Sequence, residues 1–135
     1  MKVFAIIPSG GSGLRLNNPL PKQYIRINGK EIIAYTLEVF QKCDLIDEII
    51  ISACKDYFDL LNTIKNNYSF SKISKIVEGG EERQHSVFNA LKSINANDDD
   101  LIIVHDAVRP LLPHDILMKA IKTANIKNNI QNECF

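Results

Sequence analysis

The five residues from Val3 to Ile7 are apolar without a break and stop at Pro8. Such a run predicts a strand buried on both faces, as in a parallel sheet, with its end set by the proline. Glu48 to Ala53 and Leu101 to Val104 read as further buried strands, and Ile73 to Val77 as a shorter strand ended by Gly79-Gly80. Between them the apolar residues switch to helical spacing. Ile33, Leu37 and Phe40 mark a helix through about Lys42, and Phe58, Leu61 and Ile64 mark one from Asp56 to about Asn66. Val87, Ala90, Leu91 and Ile94 predict one helical face between Glu82 and Ile94. Pro113 is expected to open a last helix running to about Ala124. Ile25-Arg26-Ile27 alternates briefly before Asn28-Gly29, a tight-turn dipeptide. From Ile126 to Phe135 the pattern fades into polar residues and no strand follows, so the sequence reads as stopping rather than finishing.

Strands alternating with helices predict an α/β fold, a mostly parallel sheet with right-handed crossovers and helices on both faces. The 135 residues correspond to about one domain. With 16 Lys+Arg against 16 Asp+Glu the formal net charge is zero, which argues against a general binder of nucleic-acid polymers or acidic membranes. Any anionic ligand must be met locally. Twelve of the cations are Lys, so Arg15, Arg26, Arg83 and Arg109 stand out, because a guanidinium makes planar, bidentate contacts that an ammonium does not. Cys43, Cys54 and Cys134 are odd in number and lack a CxxC pattern, which supports reduced thiols rather than a disulfide framework or a zinc site. Every apolar run is too short for a signal core or a membrane span, and the reading is a cytoplasmic chain.

The first strand runs into Pro8-Ser9-Gly10-Gly11-Ser12-Gly13-Leu14-Arg15. A Walker A loop fails here because Arg15 stands where the second glycine belongs, and a dinucleotide fingerprint fails because Leu16 replaces its third glycine. What remains is a flexible loop whose backbone N–H groups can approach an anion, flanked by Arg15 and by Lys22 of Pro21-Lys22-Gln23-Tyr24. Standing alone, the loop reads equally well as a tight turn. Two cations beside it suit a polyphosphate clamp. Asp106, in His105-Asp106-Ala107-Val108-Arg109-Pro110, follows the fourth strand, where open α/β sheets bind ligands. A carboxylate beside phosphate-binding cations suits Mg²⁺; it equally suits a turn cap. Gly79-Gly80-Glu81-Glu82-Arg83-Gln84-His85-Ser86-Val87 places a second glycine pair before a helix, where backbone groups and Ser86 could read a base or ribose. Its acids also suit a helix N-terminus. His85, His105 and His114 show no metal spacing.

Together these four ordered motifs resemble the 2-C-methyl-D-erythritol 4-phosphate cytidylyltransferase family of non-mevalonate isoprenoid synthesis. The resemblance implies a Rossmann-like fold of the nucleotide-diphospho-sugar transferase type. It also implies transfer of CMP from CTP to a polyol phosphate, with release of pyrophosphate and help from Mg²⁺. By position, Arg15 and Lys22 match the family's transition-state stabilisers and Asp106 its metal ligand. Ser9, Gly10, Gly11, Ser12 and Gly13 match the triphosphate cradle. Gly80, Glu81 and Ser86 match cytidine contacts, and Ala107 and Arg109 further CTP contacts. Ser9-Gly10 stands where Ala-Ala is common, and Glu81 where Asp is frequent. Ribitol 5-phosphate cytidylyltransferases share much of this pattern; Tyr24 and the Arg83 to Val87 stretch lean toward the isoprenoid enzymes. Family members continue through a protruding arm that builds a homodimer and through further strands that position the acceptor. The resemblance therefore covers a single nucleotidyltransferase domain, residues 1–135, as the front, CTP-binding portion.

Overall fold

The computed structural model describes residues 1–10 and 20–133, with side chains through Ile126. Strand β1 (Val3–Ser9) is buried at all seven positions; it runs past the expected end at Pro8, because Pro8 and Ser9 still pair with Ser52 and Ala53 of the neighbouring strand. A short antiparallel pair follows, β2 (Arg26–Ile27) and β3 (Lys30–Glu31), joined by Asn28 at φ 53° and Gly29 at φ 77°. Two successive left-handed residues are what a two-residue hairpin turn needs, and Asn-Gly supplies them. Helix α1 (Ile32–Gln41) leads to β4 (Glu48–Ala53), and a single 3₁₀ turn at Lys55–Tyr57 opens α2 (Phe58–Asn67). Strand β5 (Ile73–Glu78), helix α3 (Arg83–Ser93), strand β6 (Leu101–Val104) and helix α4 (His114–Glu133) complete the order.

The main sheet has the order β5-β4-β1-β6 with every pairing parallel. From β1 the chain steps outward through β4 to β5, then returns across the sheet to β6 on the other side of β1. Helices α1, α2 and α4 cover the face carrying Ala5, Ile7, Ile49 and Ile51, while α3 covers the face carrying Phe4, Ile6 and Ile50. Helices thus lie on both faces, as the alternation predicted. Strand order reverses at β1/β6, and the crevice beyond the carboxyl ends of those strands is where such sheets take ligands.

Three further expectations need correction. Ile102 and Val104 of β6 are exposed, not buried, because they align with Phe4 and Ile6 on the α3 face while α3 sits over β1, β4 and β5. On α3 the buried residues are Ser86 and Ala90, whereas Leu91 is exposed, so the inward face is smaller and more polar than the spacing suggested. Finally, α4 runs to Glu133 rather than Ala124. No Gly or Pro interrupts residues 114–133, so the backbone stays helical where the apolar period has faded.

Candidate functional site

A cavity of about 270 Å³ opens at the reversal point. Its walls are Pro8, Ser9 and Gly10 at the end of β1, Gly80 to Arg83 and Ser86 around the start of α3, and Asp106 to Val108 after β6, with Gln23 beside them. Each wall is a strand end or the turn after it, so the sheet itself sets the spacing.

Ser86 is the pivot of one wall. It is 1% exposed, and its Oγ accepts a hydrogen bond from the Gly80 N–H at 3.1 Å, leaving the hydroxyl proton to donate. A Cβ on Gly10 would lie 3.0 Å from that oxygen, and one on Gly79 would lie 2.9 Å from it. At Gly80 a Cβ would fall 2.2 Å from the His85 Cβ. Close approach therefore demands glycine at position 80 and favours it at 10 and 79: the ends of β1 and β5 press directly against the first turns of α3.

Asp106 joins two walls. Arg83 Nε donates to Oδ1 at 2.7 Å and Arg109 Nε to Oδ2 at 3.2 Å. Burial alone would raise the Asp106 pKa, but the hydrogen bonds and charges of Arg83 and then Arg109 outweigh it and hold the carboxyl below its ordinary value. A carboxylate whose pKa is lowered by folding stabilises the protein above its unfolded pKa and loses that contribution as pH falls through the folded one. The stability difference between the parent chain and Asp106→Asn is thus expected to hold from neutrality down to about pH 4 and to vanish below it. Partial exposure keeps it small. Urea midpoints across pH check this, and a difference that grows on acidification would contradict the pairing.

Lys22 sits on a 3₁₀ turn, Lys22–Tyr24, whose other two residues are buried. Gln23 Nε2 donates to the Ser9 carbonyl at 2.9 Å, and the Tyr24 hydroxyl shares a hydrogen bond with Ser9 Oγ at 3.3 Å. The Tyr24 ring stacks on Tyr57 with centroids 4.8 Å apart. Burial pushes the Tyr24 phenol up to about 12, so it stays neutral. The turn is thereby tied to the end of β1 through Ser9, with Lys22 as its exposed member.

Of the residues singled out by sequence, Ser9, Gly10, Gly80, Glu81, Ser86, Asp106 and Ala107 meet around one cavity. Gly11, Ser12, Gly13 and Arg15 lie outside the described residues. Lys22 and Arg109 are not cavity walls: Lys22 stands on the adjoining turn, and Arg109 reaches Asp106 from an exposed position. Sequence reasoning passed over Arg83, Gln23 and Gly79 as site residues. The scarcity of arginine and the Gly79-Gly80 pair were signals for two of them; nothing in a lone Gln announces a buried tie to Ser9.

A model of the family described as "IspD: 2-C-methyl-D-erythritol 4-phosphate cytidylyltransferase" matches residues 3–131. The chain belongs to this family. A family enzyme of Clostridium perfringens (strain SM101) is 47% identical over 122 residues, covering 90% of this chain and 53% of that protein. One from Clostridium botulinum (strain Loch Maree) is 41% identical over 120 residues, covering 89% and 52%. The chain spans about half the length of the curated relatives it matches. Among solved structures, the 4-diphosphocytidyl-2C-methyl-D-erythritol synthase of Anaerococcus prevotii superposes with a TM-score of 0.75 at 30% identity, covering 92% of this chain and 51% of that one. The 2-C-methyl-D-erythritol 4-phosphate cytidylyltransferase of Francisella tularensis gives 0.67 at 33% identity, covering 87% and 49%. Among the described residues no helix is long and apolar enough to cross a membrane.

Proposed function

We propose that residues 1–135 form the CTP-binding unit of a 2-C-methyl-D-erythritol 4-phosphate cytidylyltransferase. In a chain of its relatives' length, the cleft would transfer CMP from CTP to the acceptor phosphate. The observation that carries this reading is the meeting of three strand ends, with Gly10, the Ser86 notch and Asp106 around one cavity, in a member of this family.

In the transfer, an oxygen of the acceptor phosphate forms a bond to the α-phosphorus of CTP. The bond from that phosphorus to the α–β bridging oxygen breaks, and its electron pair leaves with pyrophosphate. Lys22 and Arg15 neutralise charge on the α-phosphate and the departing group, the electrostatic term that dominates such reactions. Gly80, Glu81 and Ser86 offer backbone and hydroxyl groups to the polar edge of the cytosine, and Ala107 flanks the nucleotide from the opposite wall, with Arg109 adding its charge from outside that wall through Asp106. Among the described residues no group of three or more His, Cys, Asp or Glu gathers to hold a metal. A lone carboxylate does fit Mg²⁺, which typically takes one or two carboxylates and completes its shell with phosphate and water oxygens. Each Asp106 oxygen keeps a second lone pair beside its arginine partner. When bound there, Mg²⁺ would supply further charge neutralisation at the phosphates.

Titration calorimetry with CTP, UTP and ATP in the presence of Mg²⁺ tests the nucleotide, with CTP expected to bind tightest. Failure of CTP to bind would remove the proposal. For a chain of full relatives' length, pyrophosphate release with methylerythritol phosphate tests the acceptor; turnover of ribitol 5-phosphate alone would reassign it.

A further inference from the structure

The buried face of α1 consists of Ile33, Ala34, Thr36, Leu37 and Phe40, and Thr36 is its one polar member. A helical threonine commonly returns its hydroxyl to a carbonyl of the preceding turn. Thr36 instead donates to the Ala107 carbonyl at 2.8 Å, a partner 71 residues away in the chain. One turn further along α1, Phe40 packs against the His105 ring with centroids 5.4 Å apart. His105 Nε2–H in turn donates to the Arg109 carbonyl at 2.8 Å. A single helix face therefore supports the turn that carries Asp106.

The sheet alone holds that turn weakly. Strand β6 ends at Val104, and beyond the His105 N–H bond to Ile6 the next link to β1 is a long one, Ala107 N–H to the Pro8 carbonyl at 3.4 Å. The Thr36 bond is shorter and fully buried, so it is the stronger constraint on where the Ala107 peptide sits. We infer that Thr36 is a positioning residue for the cleft, setting through the Ala107 carbonyl the place of the Asp106 turn opposite Arg83. The inference rests on the CTP reading of the same cleft for its functional consequence, while its structural part stands on the hydrogen bond.

Thr36→Val keeps the shape and removes the donor, leaving a buried carbonyl unpaired, whereas Thr36→Ser keeps the hydroxyl. Thr36→Val is expected to weaken CTP binding roughly tenfold and to speed amide exchange at Ala107 and Arg109 by a similar factor. Exchange in β5 and α2 should stay unchanged, and Thr36→Ser should restore both readouts. Parent-like affinity and exchange in Thr36→Val, or equal damage in Thr36→Ser, would overturn the inference. If the parent itself binds no CTP, the nucleotide reading fails while the exchange comparison still decides the positioning role. Should Thr36→Val not fold, the parent decides it: a Thr36 hydroxyl proton protected from solvent in NMR supports the role, and one exchanging like a free threonine refutes it.

Discussion

Gly80→Ala is expected to weaken CTP binding by about 5- to 150-fold while the sheet stays folded, the range that about 1–3 kcal/mol of overpacking implies. The added Cβ would lie 2.2 Å from the His85 Cβ and 3.2 and 3.3 Å from the His85 C and Cα atoms. Two of those three atoms are backbone, so relief requires the first turn of α3 to move. Movement there draws Ser86 away from the Gly80 N–H and opens the notch proposed to read the base. The loss is one of contact, since Gly29 is the glycine with positive φ among the described residues. Gly10→Ala and Gly79→Ala provide the contrast. Their closest conflict is with the Ser86 hydroxyl, a side-chain end that can rotate, and they should cost less. Calorimetric CTP titrations beside thermal melts distinguish the cases, and affinity within twofold of the parent for Gly80→Ala would contradict the geometry.

Lys22→Gln carries the largest expected effect on turnover. In a chain of relatives' length we expect kcat to fall by roughly 10²–10³, the usual consequence of deleting one preorganised charge from a transition state. Glutamine is one bond shorter but keeps an N–H donor at its end, so the change chiefly removes the charge. The turn itself should survive, because Gln23 and Tyr24 hold it to Ser9 independently of Lys22. CTP affinity should change much less than kcat, since the charge matters most when pyrophosphate departs. Pyrophosphate release under saturating CTP is the measurement; a fall of less than tenfold would mean that Lys22 does not meet the reacting phosphates.

The strands were legible because apolar runs mark them: burial on both faces explains those of Val3–Ser9 and Glu48–Ala53, while Leu101–Val104 carries such a run with one face left exposed. The Asn28-Gly29 hairpin was legible for a local reason, the left-handed turn those residues accept. Periodicity failed where its signal is weakest. On α3 it named Ala90, which is buried, and Leu91, which is exposed, and it missed Ser86, whose place follows from how closely Gly10 and Gly79 approach it. At α4 it ended the helix with the apolar stripe, although backbone hydrogen bonding continues without one.

By itself the sequence determined the α/β alternation, the strand ends that carry the motifs, and the family. Those depend on the order of residue types along the chain, which local burial and turn chemistry translate directly into structure. Only the tertiary structure decided that Arg83 and Arg109 close on Asp106, that Gln23 ties the Lys22 turn to Ser9, and that Thr36 supports Ala107. Each of these joins different elements of the chain or sets a side-chain geometry. Such contacts follow from strand order and register, which bring β1, β5 and β6 to one end of the sheet and which no periodicity within a single segment encodes.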